Sequence, residues 1–239
     1  QRNHRVSVVS SGGSLVEPLT RLGAVHYQLP VHAKSLKTIR SCVSEVEQLI
    51  LSTGVELVHA RSRVPGWIGF FASRRAQRPF LTTTHGFYRP HWGARVMVWG
   101  RLVIVPSEAL GRYLIEHFKL PKERLRIIPR GVDLETFAFQ PAPKTPGDVW
   151  RIGLFGRLSP LKGQSIAIRA CDVLRRKGLN VRLVFAGDPP ESSQRRALEA
   201  LIVSLGMGEA VEWLGVRQDL PSLIASMDLP LRWLVVQAG

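Results

Sequence analysis

The chain has 239 residues and an ordinary globular composition, 45% hydrophobic and 21% charged, so one large or two small domains with real cores are expected. No run approaches the ~20 apolar residues of a membrane-spanning helix; two cysteines without CxxC spacing and seven scattered histidines argue against a disulfide or zinc framework and for a reducing compartment. The net charge is +15, with 20 Lys and Arg against 9 Asp and Glu in residues 1–140, a field that favours anionic partners such as nucleic acid, phosphorylated ligands or an anionic membrane face.

The start, QRNHRVSVVSS, shows no secretory signal. RVSVVSS (5–11) reads as a strand, followed by Gly12-Gly13 and a short helix near residues 15–22. AVHYQLPV is a second strand. Residues 36–51 place Ile39, Val43, Val46 and Ile50 on one helical face, and Gly54 stops that helix. ELVHAR, PFLTTTHG (79–86), LVIVPSE (102–108) and LRIIPRGVD (125–133) are further strands, with EALGRYLIEHF (108–118) a helix between the last two. QPAPKTPGD reads as a linker, so the expected division is a domain at 1–140, a linker at 141–149 and a second domain at 150–239. Beyond the linker, RIGLF is a strand. Ile166, Ala170, Val173 and Leu174 form the predicted apolar face of the next helix, with Gly178 at its C-cap. Strand VRLVFAG, a helix from about 191 to 205, strand VEWLG and helix LPSLIASM complete the pattern. Repeated βα units imply one helix-covered parallel sheet on each side of the linker, with ligands expected at the carboxyl ends of the strands and in a cleft between the sheets.

One turn carries chemistry on its own. In RIGLFGRLSPLKGQS (151–165), Arg157 follows the carboxyl end of a strand and Lys162 precedes a helix beginning near Gly163. Gly156 leaves room for close approach, and a helix N-terminus offers free N–H groups. A guanidinium, an ammonium and those N–H groups suit a diphosphate. The string is not a Walker loop, and the competing reading is a basic surface turn.

FGRLSPLKGQ resembles the donor-diphosphate motif of the family 4 glycosyltransferases. VVSSGGSLVEPLTRLGA, LVHARSRVPGW, FLTTTHGFY, VIVPSEALGRYL, RLRIIPRGVDLETF, LVFAGDPP and VEWLGVRQDLPSLIASMD are similar to that family's segments in order and spacing, over about residues 4–228. The resemblance implies an α/β fold of GT-B type, two Rossmann-like doubly wound parallel-sheet domains facing a cleft. It implies transfer of a sugar from a UDP- or GDP-linked donor to a glycan or lipid-linked acceptor, usually with retention, no cofactor beyond the nucleotide sugar and no essential metal. By this resemblance Arg157 and Lys162 hold the diphosphate, Gly156 admits it, and His85 lies near the reacting centre. Arg130 and Gly131 fall on a cleft-facing turn where the family more often has Asn-Gly. Gly187 closes another strand at the same rim, with Asp188 suited to a cap. Gly215, Val216 and Arg217 are placed toward the nucleotide base.

The pattern departs at both ends. The family has a strand, glycine-rich loop and helix ahead of the strand at 5–11, so the role of that loop is not carried to Gly12-Gly13. After ASMD it continues into a loop with two glutamates eight residues apart, whereas this chain reads LPLRWLVVQAG, and Pro230 and Arg232 fit a strand poorly. These departures lead to the expectation of a truncated second domain and leave a non-catalytic GT-B protein, binding a sugar nucleotide or a membrane, as the alternative. Glu191 and Glu199 share the eight-residue spacing but sit in a polar helix that reads as a solvated face. Trp67, Phe70 and Phe71 beside Arg74, Arg75 and Arg78, and the 86–101 stretch with Arg89, Arg95 and Arg101, suit either a core-plus-wet-face helix or docking on an anionic membrane. A cytoplasmic protein, peripheral on the inner face of the plasma membrane, follows from the membrane reading. A sugar-nucleotide epimerase shares the diphosphate architecture. A nucleic-acid binder has only charge in its favour, with no zinc-finger, RNP or helix-turn-helix signature.

Overall fold

The computed structural model describes residues 4–138, 148–187 and 193–231. The chain forms two compact units, Gln1–Gly131 and Val132–Gly239. Of the linker expected at 141–149, residues 141–147 lie outside the described residues.

The first unit runs β1 (Ser7–Ser10), α1 (Val16–Arg21), β2 (Val25–Gln28), α2 (Leu36–Thr53), β3 (Val58–Ala60), α3 (Arg63–Arg75), β4 (Phe80–Thr83), β5 (Leu102–Val105), α4 (Glu108–Phe118) and β6 (Leu125–Ile127). Helix α2 buries Cys42, Val43, Val46 and Ile50, with Ile39 of the predicted stripe only partly buried against the same core. It ends where Gly54 takes the left-handed conformation (φ 69°) and returns its N–H to Ile50 O. Helix α4 begins on Ser107, whose hydroxyl accepts from Leu110 N at 3.3 Å, with Glu108 in the first turn.

All strand pairs are parallel, but unit 1 does not form the single sheet expected from its βα repeats. β1 pairs only with β2, and a separate sheet runs β3-β4-β5-β6. Among the described residues no strand joins β1 to β3. Residues 6–11 and 57–62 instead line one cavity of about 840 Å³, floored by Val46, Ile50 and Ile68. Val9 and Val58, one from each sheet, pack against the same α2–α3 core. The helices therefore hold together two sheets that share no ladder.

The threonine run explains the rest of unit 1. Thr82 and Thr84 are fully buried on β4 and its extension, and both hydroxyls donate to Met97 O, at 2.7 and 3.3 Å. Arg124 donates to Val98 O at 2.9 Å and to Gly100 O. These bonds anchor a short 3-10 segment, Trp92–Val98, whose Ala94, Val96, Met97 and Val98 are core. Part of the stretch considered for membrane contact is thus interior.

The second unit runs β7 (Trp150–Gly156), α5 (Gln164–Arg176), β8 (Val181–Gly187), α6 (Ser193–Ser204), β9 (Val211–Trp213), α7 (Leu220–Ala225) and β10 (Leu229–Leu231), with sheet order β10-β7-β8-β9. Alternation along β8 feeds two cores, as strand geometry requires. Leu183 and Phe185 pack with Ile168, Cys171, Leu198 and Ile202 of α5 and α6. Val184 and Ala186 pack with Leu223 and Met227 on the other side. Burial pushes the Cys171 thiol up to about 11, so it remains an apolar filler.

Two expectations are corrected here. The buried face of α5 is Gln164, Ala167, Ile168 and Cys171, with Leu174 of the predicted face packed against it, while Ile166 (41%) and Val173 (51%) are exposed and Ala170 faces solvent with them. Both stripes have helical spacing, and only the one turned toward β7 and β8 finds a core. Pro230 does sit in a strand: β10 pairs parallel with β7, Leu229 opposite Ile152 and Leu231 opposite Leu154. As the outermost strand of its sheet it tolerates a residue without an N–H. Arg232 lies outside the described residues.

Candidate functional site

In unit 2 the carboxyl ends of β7, β8 and β9 meet in glycine. Gly156 and Gly187 are register partners, with φ of 138° and 158°. A Cβ on Gly187 would fall 2.0 Å from Gly156 O, so only glycine permits these strand ends to lie together. Gly187 N donates to the carbonyl of Gly215, itself left-handed at φ 65°, at 2.8 Å. Three predicted residues distant in sequence thereby share one sheet edge. Nothing within 4 Å would meet a Cβ on Gly156, so the approach to its backbone is open.

The turn from β7 to α5 spans Arg157 to Gly163. Arg157 is exposed, and residues Pro160–Lys162 form a single 3-10 turn. Lys162 N bonds Ser159 O at 2.9 Å, and Gly163, left-handed at φ 67°, starts α5 without a side-chain cap. The N–H groups of the first turn of α5 are the partial positive end of a 13-residue helix. Gln164, 2% exposed, donates its side-chain amide to Arg157 O at 3.0 Å and fixes the turn from beneath. The sequence reading passed over Gln164; a polar residue on an otherwise apolar helix face was the available signal.

Val216 is 68% exposed beside Gly215. Arg217 is engaged by Asp219, its Nε donating to Oδ1 at 2.8 Å, and this pairing holds the Asp219 carboxyl below its ordinary value. Asp188 and Glu191 lie outside the described residues. Glu199 accepts from Arg195 Nε at 2.7 Å along α6, and Arg195 stands over the Trp213 ring, so this stretch is partly covered rather than the fully solvated face expected.

In unit 1 the carboxyl ends of β3, β4 and β6 carry Arg61, His85 and Arg130. Arg61 Nε donates to His85 Nε2 at 3.2 Å, and Arg130 Nη2 stands 3.3 Å from His85 Nδ1. Partial burial first, then the charges of Arg61 and Arg130, then His59, hold the His85 imidazole below its ordinary pKa. His59, on β3, bonds Thr83 Oγ1 at 2.7 Å and is likewise lowered, by desolvation and by Arg61. Two residues beyond Arg61, Arg63 Nη1 lies 3.4 Å from His91 Nε2, and its guanidinium stands over Tyr88, 5.4 Å from the ring centroid. Gly131 follows Arg130 in open space. Sequence reasoning singled out His85 and Arg130 but missed Arg61; a cation just past the end of a parallel strand was the signal, and 24 residues separate it from its partner.

On α3, Trp67 stacks on Trp92 at 4.5 Å and on Phe71 at 5.8 Å, meets Trp99 edge-on at 4.8 Å, and donates its indole N–H to Gly93 O. Phe70 packs against Trp99 and Phe80, with Arg74 over its ring. The aromatics are thus one continuous stack. It emerges at Phe71 (42% exposed) and Trp92 (73%).

Comparison with known proteins agrees with this geometry. The family model described as Glycosyltransferase Family 4 matches residues 1–136, and that described as Glycosyl transferases group 1 matches residues 136–231. A D-inositol 3-phosphate glycosyltransferase of Acidothermus cellulolyticus is 27% identical over 215 residues, 77% of this chain and 47% of the relative. The chain thus spans about half the length of the curated relatives it matches. A glycosyltransferase of Rickettsia africae is similar in structure over 96% of this chain and 64% of its own, with TM-score 0.81 and 24% identity. Anabaena Alr3699/HepE, solved with UDP and glucose, covers 95% of this chain and 66% of its own, with TM-score 0.77 and 23% identity. These likenesses establish the fold as GT-B.

Proposed function

The chain belongs to Glycosyltransferase Family 4, and from that premise we propose that it serves transfer of a sugar from a nucleotide-diphosphate donor to an acceptor hydroxyl. The observation that carries this reading is the β7–α5 turn, which follows an open glycine backbone with Arg157, Lys162 and the uncapped N-terminus of α5 within eight residues. In transfer the bond between the anomeric carbon and the diphosphate oxygen breaks and its electron pair leaves with the diphosphate. The acceptor oxygen bonds the anomeric carbon and gives up its proton to the departing group. Fixed cations lower the barrier by meeting charge as it develops. We assign that part to Arg157 and Lys162, with Gly156 and Gly187 admitting the ligand, and need no resident metal for it. Gly215 and Val216 flank the same strand ends on the side given to the base. The UDP and UDP-glucose bound by the Anabaena protein support uridine diphosphate as the carrier. His85 takes the acceptor-side role.

The test is calorimetric titration with UDP. Arg157→Ala and Lys162→Ala are each expected to weaken binding by about 1.5–3 kcal/mol, the worth of a charged hydrogen bond. Unchanged affinity in both would refute the site.

A glycan or lipid-linked acceptor of the cell envelope, met at the inner face of the plasma membrane, is the finer form of the proposal. It is supported by the emergence of Phe71 and Trp92 at the surface, with Arg74 over the ring of Phe70 in the same stack. Co-sedimentation with vesicles is expected to rise with anionic lipid and fall with salt; indifference to both would remove the membrane from the reading.

A further inference from the structure

The gap between the two sheets of unit 1 has the chemistry of a place for a strand. Pairing turns the peptide groups of alternate residues toward opposite edges of a strand. Val25 N bonds Val6 O and Leu29 N bonds Ser10 O, so the even-numbered residues of β1 serve β2, and Ser7 and Val9 turn their N–H and C=O groups away from it. On β3, Val58 N bonds Pro79 O, which turns Leu57 and His59 away from β4 in the same manner. β1 and β3 each end their sheet, and among the described residues no further strand pairs with either edge. Both edges line the same cavity of about 840 Å³, whose apolar lining includes Val8, Val46, Ile50, Val58 and Ile68. Two rows of unpaired backbone groups over an apolar floor are a template for strand addition.

We propose that residues 232–237 of one copy of this chain add as a parallel strand between β1 and β3 of a second copy. Residues 232–239 read RWLVVQAG and lie outside the described residues. Within them WLVV is an uncharged run with two β-branched residues and an aromatic one, the composition of a strand covered on both faces. Its four residues equal the length of β1. Charge sets the direction. Laid parallel to β3 with Leu234 opposite Val58, the run brings Arg232 beside Glu56, which is exposed and, among the described residues, has no ion pair. The reverse direction would set Arg232 against the Arg61 end of β3. The donated segment and the receiving gap are different surfaces, so the contact is head-to-tail and each added copy leaves one of each free. Association therefore grows with concentration and does not stop at a dimer.

The experiment is sedimentation velocity of the full chain across a concentration series, with amide hydrogen exchange read at Ser7, Val9, Leu57 and His59. A concentration-dependent ladder of oligomers is expected, with those four amides slow to exchange only in the associated state. Leu234→Asp puts a charge into the apolar gap, and Val235→Pro removes a donor from the inserted strand. Each should weaken association about tenfold or more, with an unchanged circular dichroism spectrum reporting that the fold is intact. Glu56→Arg should weaken it roughly two- to fivefold, and Arg232→Glu added to that variant should restore it. The free peptide RWLVVQAG in excess should break the ladder down to single chains while keeping the four amides slow. A full chain that stays monomeric at every concentration, or association that survives both Leu234→Asp and Val235→Pro, would overturn the proposal. So would a monomer whose four amides are slow and become fast in Leu234→Asp, because the segment would then occupy the gap of its own chain. Failure of the charge swap to restore association would overturn the parallel register. UDP binding is read at a separate site and none of these outcomes depends on it.

Discussion

Unit 2 and unit 1 each gather cations at the carboxyl edge of a parallel sheet, but by different routes. The turn proposed for the donor is contiguous: Gly156, Arg157 and Lys162 sit within seven residues, and Lys162 N donating to Ser159 O and Gly163 N to Pro160 O close it locally. The acceptor-side cluster draws Arg61, His85 and Arg130 from three strand ends. One depends on local backbone conformation, the other on register across a sheet. Damage to them should therefore differ in kind, and the expected effects can be ranked.

The largest is at Gly187. A Cβ there meets the Gly156 carbonyl at 2.0 Å with backbone on both sides, so Gly187→Ala should cost about 3 kcal/mol or more in chemical denaturation of unit 2. A loss under about 1 kcal/mol would mean that the ends of β7 and β8 separate easily. Next is Gln164→Ala, which leaves the Arg157 carbonyl without its buried donor. About 1–3 kcal/mol of stability should go, with weaker UDP binding although Gln164 itself is buried. If UDP affinity holds, the turn keeps its shape without support from beneath.

In unit 1 the matching support is the buried threonine pair. Thr82→Val keeps the volume and removes one of two donors to Met97 O. A loss of about 1 kcal/mol is expected in urea unfolding, and a loss shared with Thr84→Val beyond the sum of the two would show one network. The smallest effect is pH dependence. His59 is lowered in the folded state by burial and by Arg61. Its contribution is therefore present above the unfolded value near 6.5 and is lost as pH falls through the lower folded value. His59→Gln should flatten that part of the stability profile, and an unaltered slope would reassign it.

Much of this was legible in the chain. Helix α4 occupies the predicted residues 108–118, and Gly54 ends α2 where a left-handed residue was expected. These features depend on caps and short-range periodicity, which neighbouring residues supply. The face of α5 was misread because Ile166, Ala170 and Val173 repeat as regularly as Ala167, Ile168 and Cys171. Periodicity names the stripes; the sheet beneath chooses between them. The separation of β1–β2 from β3–β6 was likewise hidden, because a βα repeat specifies which strands exist and not which edges meet.

By itself the sequence determined the alternation of strands and helices, the helix caps and the contiguous turn at 156–163, all set by contacts within a few residues. Tertiary structure alone decided that Arg61 and Arg130 would share the two nitrogens of one histidine. The reason is geometric: side chains 24 and 45 residues apart meet only after the strands that carry them have found their register.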